Sequence, residues 1–521
     1  MNHSHRRPAY DHAVTKLIRG MEADTWGRVR PSCYETARVV ALAPRLPGHD
    51  RRLEWLLDSQ HPQGTWGEGH GPYRLVPTLS AVDALLTVLQ QHEHCPDARR
   101  ERYGRAVAEG VRALRRFPTD GAHPDTVAVE VIVPKLIATI NSKLERWGAE
   151  NTGRYGTHPV AGLPYGMDGD APARLVGRLA GFHRLPSRVW HSYEILGDLL
   201  PATAPAPGTD GLIGGSPAAT AAWLRTRSRP EARREAALAA LNGAADRYDG
   251  LLPEVIPLTP FERLWVLSAL LPAGLPDHLV PTARAWVTAL YDRRGVAGIP
   301  GLEPDADDSA VALYLAVRLG IPCHHDVLRP FATAHHFACY AGESTPSVTA
   351  NAHALRALAA YARRYPGRAA EVEPMRRTVR HWLVERQQPE GYWTDKWHAS
   401  PFYATARCVT ALAEDAGPTA ISALKAATAW AEATQHADGS WGALGEPTAE
   451  ETSYGAGILL SAAPSSPCLD RAASFFATMG ETVPEQRPAL WHDKSLYAPE
   501  AVLDAEILAT RERLRTAAPG A

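Results

Sequence analysis

The chain has 521 residues, 45% of them hydrophobic, and a formal net charge of -2. That length exceeds one typical core, so two or three domains are expected, and the balanced charge offers no field for nucleic acid or an anionic membrane. No run approaches the roughly 18 apolar residues of a membrane span, the opening Met1-Asn-His-Ser-His-Arg-Arg-Pro8 lacks the apolar core of a signal peptide, and Cys33, Cys95, Cys323, Cys339, Cys408 and Cys468 have no paired spacing. These features predict a cytoplasmic protein with reduced thiols.

Taken in order, residues 1–10 read as a flexible N-terminus. Apolar segments with three-to-four spacing then recur between Gly/Pro turns: Leu79 to Gln90, Val127 to Leu144, Phe261 to Leu271, Val348 to Tyr361, Ala404 to Ala413 and Ala420 to Thr434. Alternating strand patterns are scarce, so the chain is predicted to be nearly all helical, with short hairpins in the glycine turns. Pro201 to Gly215 and the turn near Gly295 are candidate boundaries, and residues 512–521 read as a flexible tail.

One corner recurs. Gln60-His-Pro-Gln-Gly-Thr-Trp66, Gln387-Gln-Pro-Glu-Gly-Tyr-Trp393 and Gln435-His-Ala-Asp-Gly-Ser-Trp441 share Gln-x-x-x-Gly-x-Trp, each between two helical patterns. A capping glutamine, a glycine at positive φ and a tryptophan over the turn make a helix-to-helix corner. Such repeats imply stacked helix pairs, whose closed form is a double ring around a cavity.

Between a Gly/Pro-rich loop and the apolar segment Ser309 to Gly320 lie Asp305, Asp307 and Asp308. Carboxylates this close do not all ionise readily, so one can stay protonated at neutral pH and serve as a Brønsted acid. The structural alternative is an acidic helix N-terminus meeting free amides and the macrodipole. Only six of the 55 basic residues are lysines, and Lys396 and Lys494 stand in tryptophan-flanked polar turns.

Together with Gln60 to Glu68, Leu75-Val-Pro-Thr-Leu79, Val129 to Pro134, Ser216 to Trp223, Phe261-Glu-Arg-Leu-Trp265, Asp395-Lys-Trp-His398 and Trp491 to Tyr497, the Asp-x-Asp-Asp motif makes the chain resemble the class II terpene cyclases. The resemblance is greatest to class II diterpene cyclases of the copalyl or terpentedienyl diphosphate synthase type, with squalene-hopene cyclase more distant. It implies two (α/α) barrels with a γ domain at 45–290 inserted into a β domain formed by 11–44 and 291–511. It also implies that Asp307 protonates the terminal alkene of a prenyl diphosphate, helped by Asp305 and Asp308 in a dry pocket.

Aromatic faces that stabilise the ensuing carbocation are candidates at Trp265, Tyr340, Trp397 and Tyr403, each equally explicable as packing. Asn351 or His353 is a candidate for the final base, with a buried, backbone-satisfied pair as the alternative. The related enzymes hold Mg²⁺ near the diphosphate with Asp-x-x-x-x-Glu; here Glu68 remains while the aspartate is Gln63, a weaker ligand. Arg74, Lys396 and Lys494 are candidates for diphosphate contacts, against salt-bridge roles.

No Asp-Asp-x-x-Asp metal box is found. A cyclic diphosphate product is therefore expected, for a separate class I synthase or phosphatase to consume. Geranylgeranyl diphosphate closed to a bicyclic diterpenyl diphosphate is the expected reaction, with farnesyl diphosphate to a drimenyl-type diphosphate and a non-catalytic prenyl-binding barrel as alternatives. The cluster Cys323-His-His-Asp326 with His335, His336 and Cys339 raises a zinc prenyltransferase reading, but adjacent ligands diverge on a helix.

Overall fold

A computed structural model describes residues 8–91, 97–147, 149–160, 162–197, 205–225, 230–343, 345–443, 446–480 and 487–517. Among the described residues the structure is all-α apart from one two-stranded hairpin and isolated bridges. In chain order the elements that matter here are α1 (Pro8–Ala23), α2 (Cys33–Leu42), α3 (Leu75–Gln91), α4 (Val129–Trp147), α5 (Pro217–Arg225), α6 (Thr259–Ala273), α7 (Ala306–Arg318), α8 (Val348–Arg364), α9 (Pro401–Asp415), α10 (Ala449–Ala462), the strands β1 (Trp491–His492) and β2 (Leu496–Tyr497), and α11 (Glu500–Ala517). Every helix predicted from periodicity is present.

Two rings close. Helices α6, α7, α8, α9, α10 and α11 pack each against the next, and α11 returns to α6; outer helices, α1 among them, cover them. In the second ring α2, α3, α4, a short helix at Tyr193–Leu196 and α5 close in the same way. One hydrophobic core joins Val14 to Met21 with side chains from Leu264 to Leu514, and another spans Cys33 to Ile195.

Packing thus divides the chain at other residues than expected. Residues 33–44 belong with the γ core, where Tyr34, Ala37 and Val40 face α3, and residues 259–290 belong with the β core, where α6 closes the ring. The termini are also more ordered than predicted. Helix α1 already includes Pro8 to Tyr10, and α11 runs through 512–517, anchored by buried Leu514; residues 1–7 and 518–521 lie outside the described residues.

The predicted corners share one chemistry. Gln60, Gln387 and Gln435 each donate Nε2 to the carbonyl of their own Gly64, Gly391 or Gly439, at 3.2, 2.8 and 2.9 Å, and to a carbonyl of the following outer helix, Ala106, Ala423 or Cys468. Trp66, Trp393 and Trp441 are fully buried and donate their indole N–H back to Leu56, Leu383 and Ala431. The glycines have φ of +86°, +105° and +90°, and a Cβ at Gly391 would lie 2.5 Å from the Ala426 carbonyl oxygen. Only glycine fits there.

A second repeat sets where inner helices begin. Ser32, Ser216, Asp305, Ser347 and Thr448 each accept the backbone N–H three residues on, the usual N-cap bond. One residue further, Thr36, Thr220, Ser309, Asn351 and Thr452 accept an N–H from outside the helix, that of Leu252, Ile213, Val296, Phe337 and Trp441. The residue two after the cap is thereby fixed in each: Tyr34, Ala218, Asp307, Thr349 and Glu450.

Candidate active site

The β1–β2 hairpin wedges between the rings. Val127 N donates to Asp493 O at 2.9 Å, and Ser495 N and Oγ donate to Glu254 at 2.6 and 2.7 Å, pinning the turn to the γ domain. Beside it lies a cavity of about 190 Å³, partly open to solvent. Asp305, Asp307 and Asp308 line it, as do all four predicted aromatics, Trp265, Tyr340, Trp397 and Tyr403.

The motif forms the first turn of α7. Asp305 is its N-cap, accepting the Asp308 N–H at 2.8 Å. Burial pushes Asp305 up to about 7, and burial together with the neighbouring Asp305 charge lifts Asp308 well above the usual carboxylate range. Asp308 fits closely under Gly298, where a Cβ would stand 2.6 Å from Oδ2, while its Oδ1 has no protein partner. So Asp305 and Asp308 act mainly on each other, sharing protons as crowded buried carboxyls do.

The direct partner of Asp307 is His353, whose Nδ1 lies 2.5 Å from Asp307 Oδ1. The pair is buried, and the imidazole meets Trp265 edge-on at 5.5 Å. A ring N–H donating here makes a charge-assisted hydrogen bond to an Asp307 carboxylate, which the α7 N-terminus also favours. His353, expected as a terminal base, therefore sits at Asp307. Asn351 is taken up structurally: Nδ2 donates to Phe337 O and Ser347 O, Oδ1 accepts Phe337 N–H, and the residue is fully buried outside the cavity lining.

The aromatic wall is larger than predicted. Phe261 packs on Trp265 at 4.4 Å and edge-on to Trp491 at 5.6 Å, Tyr403 tilts against Trp491 at 4.8 Å, and Trp265 donates to Tyr403 OH at 3.1 Å. Tyr497 completes it. On the γ side His191 and Asp493 face the cavity together, with His191 Nε2 2.9 Å from Asp493 Oδ1 and Nδ1 2.7 Å from Gly214 O. Burial works against charge on His191, but the Asp493 carboxylate outweighs it and leaves the imidazole pKa raised.

Phe261, His191, Trp491, Asp493 and Tyr497 escaped sequence reasoning. The stretch Trp491 to Tyr497 stood out, yet only its lysine was selected, because a cation is the obvious partner for a diphosphate. Lys494 instead points away from the cavity. It is fully buried in the γ domain, bonded to Glu35 at 2.6 Å, Glu194 at 3.0 Å and Ser216 Oγ at 2.8 Å.

Lys396 pairs with Glu343 at 2.5 Å, donates to Thr345 O, and stands 5.1 Å over the ring of cavity-lining Trp397. Arg74 ends a short turn beside Tyr73, whose hydroxyl meets cavity-lining His492 at 3.2 Å. Burial lowers the Arg74 pKa, and the Glu68 charge works the other way. Glu68 is exposed, 3.6 Å from Arg30. As a lone carboxylate it fits Mg²⁺ only as one ligand among waters and phosphate oxygens.

The expectation that Cys323 to Asp326 diverge needs correction. A short 3₁₀ helix at His325–Phe331, with His324 as its N-cap, brings ring nitrogens of His324 and His325 and a carboxylate oxygen of Asp326 within 4.8 Å of one another, without Cys323. Asp326 also has Arg329 at 3.6 Å, and Glu371 has Arg368 at 3.7 Å, the pattern of a surface ion-pair cluster.

Comparison with known proteins matches this geometry. Residues 330–474 match the squalene-hopene cyclase C-terminal domain. The chain is 43% identical to a copalyl diphosphate synthase of Streptomyces cyslabdanicus over 98% of this chain and 97% of that one, and 46% identical to a labda-7,13-dienyl diphosphate synthase of Streptomyces clavuligerus over 96% and 92%. The solved structure of ent-copalyl diphosphate synthase from Streptomyces platensis superposes with a TM-score of 0.86 at 37% identity, covering 97% of this chain and 99% of that one. A crowded acid motif at the end of an aromatic cavity between two helical rings, in a chain so similar along its whole length, makes this protein a member of the class II diterpene cyclase family.

Proposed function

We propose that the protein converts geranylgeranyl diphosphate to a bicyclic diterpenyl diphosphate, with Asp307 as the acid. The observation that carries the reading is Asp307 at the wall of an aromatic cavity, held by His353 and flanked by the Asp305–Asp308 pair. The Asp307 proton adds to the terminal alkene, the tertiary cation is attacked by the next two double bonds in turn, and loss of one proton leaves a neutral bicycle. Substrate and product are isomers, and the C–O bond to diphosphate stays intact.

Each step meets a group in the cavity. His353 steadies the Asp307 carboxylate, and Trp265, Tyr403, Trp491 and Phe261 face the cation with their π clouds while excluding water. The last proton goes to the Asp493 carboxylate, held by His191 on the γ side of the same cavity. Arg74 and Lys396 lie beside cavity-lining residues and supply positive charge for the diphosphate, and Glu68 would share a Mg²⁺ with it. Bound there, the ion would neutralise the phosphates. A class I synthase or a phosphatase consumes the product.

The test is incubation of purified protein and Mg²⁺ with geranylgeranyl or farnesyl diphosphate in separate reactions, followed by dephosphorylation and identification of products by mass spectrometry and NMR. A bicyclic alcohol from the longer substrate, absent with Asp307→Asn, is expected. Turnover of the shorter substrate alone moves the assignment to a drimenyl-type product, and an active Asp307→Asn overturns the acid. His191→Ala is expected to keep cyclisation but redirect the terminal alkene or yield hydroxylated product.

A further inference from the structure

Behind the aromatic wall lies a carboxylate that the steps above do not use. Glu450 is 3% exposed, and its Oε1 accepts three hydrogen bonds: from Trp491 Nε1 at 2.9 Å, Tyr454 OH at 3.0 Å and His398 Nε2 at 3.0 Å. His398 Nδ1 accepts the Ser400 N–H at 3.0 Å, so the ring carries its proton on Nε2 and donates as a neutral group. Three donors on one oxygen are what an anion gathers.

Its charge is not neutralised locally. Among the described residues His398 is the one basic side chain within ion-pair distance of Glu450. Arg407, which stacks over Tyr403 at 4.9 Å and Tyr454 at 5.3 Å, is paired with Glu506. Burying a carboxylate without a cation is unfavourable, and packing does not demand it, since a glutamine oxygen would accept the same three bonds.

The rings in front of Glu450 are those the cavity uses. Trp491 and Tyr403 line it, with His398 stacked on Tyr403 at 4.7 Å and edge-on to Trp491 at 5.2 Å. An indole N–H donating to an anion gains electron density on its π face, and the fixed charge itself lies one ring deep from the space where positive charge develops. Both effects deepen the negative potential of that face before any reaction begins.

Glu450 also occupies, two residues after the Thr448 cap, the same step of a helix entry that Asp307 occupies after Asp305. We propose that Glu450 is a positioning residue acting through Trp491, a buried counter-charge that polarises the aromatic wall toward the carbocation. This rests on the cyclisation reading. One helix entry delivers the proton, and another holds the negative charge that the cation then meets.

The test is equilibrium binding to wild type, Glu450→Gln and Trp491→Phe of two non-reacting prenyl diphosphate analogues, one with an ammonium nitrogen at a ring-forming carbon and one its neutral isostere. Wild type is expected to prefer the ammonium analogue. Glu450→Gln loses about tenfold of that preference while the neutral analogue binds as before, and its kcat falls at constant KM. Trp491→Phe, which keeps a ring but loses the N–H, loses a smaller part and serves alone where Glu450→Gln does not fold. An unchanged preference, or equal weakening of both analogues, overturns the role of Glu450. Wild-type turnover of the natural substrate is scored separately, so failure of the cyclisation reading shows there.

Discussion

Replacing Lys494 with methionine separates two roles that one residue could play, diphosphate contact and domain cement. Lys494 is fully buried and shared by Glu35 and Glu194, whose side chains are also inaccessible. Burial opposes its charge, but Glu194 and Glu35 more than compensate and hold the ammonium protonated. Removing the cation strands two carboxylates in the γ core, a loss of about 3–5 kcal/mol when one partner of a buried pair is deleted. At roughly 2–4 °C per kcal/mol for a domain of this size, the expected fall in Tm is on the order of 10 °C. Scanning calorimetry resolves the γ transition, and steady-state kinetics below it should show KM within about twofold of wild type, since uniform binding to the diphosphate is untouched. Adding Glu35→Gln should restore part of the loss, because one stranded charge is then gone. A Lys494→Met protein as stable as wild type but with a much higher KM would refute the structural role and return Lys494 to the diphosphate.

His353→Ala should lower kcat by on the order of a hundredfold with little change in Tm, because it removes the partner of the acid; unchanged kcat with altered products would make His353 a terminal base instead. Glu262, buried and accepting the Arg28 N–H, is pushed up to about 7 by burial. The folded state therefore holds this proton over a range where the unfolded chain, near 4.3, has released it, so stability falls as pH rises from about 4.3 to 7 and then levels off. Glu262→Gln should flatten that decline and raise Tm at pH 8, as melts across pH would show. Gly391→Ala, at φ +105° and facing the Ala426 carbonyl, should cost about 1–3 kcal/mol with kinetics intact at lower temperature.

Much of the fold was legible because helices in stacked pairs announce themselves by period and punctuation. The three Gln-x-x-x-Gly-x-Trp corners carry local bonds, within about ten residues, and so read directly from the chain. Domain edges did not, because α2 and α6 are apolar helices whose ring membership is decided by partners far away in sequence. Asp307 and the four aromatics stand at the cavity wall, where crowding and π faces had drawn attention to them in the sequence. Lys494 misled because a lone lysine between aromatics looks the same whether it meets phosphate or two buried glutamates. His191 and Asp493, 302 positions apart, carry no local signal of their pairing.

The helix entry repeated at Ser32, Ser216, Asp305, Ser347 and Thr448 has a consequence for how such catalysts change. Cap and outside acceptor hold the backbone, so the aim of the residue between them is fixed while its side chain differs from one entry to the next: a phenol at Tyr34, a methyl at Ala218, carboxylates at Asp307 and Glu450. Swapping a side chain there alters what is presented to the interior without rebuilding the scaffold. Proton donors, counter-charges or inert methyls can thus be exchanged one at a time, and the outcome of a cyclisation retuned by point substitution while the rings themselves stay closed.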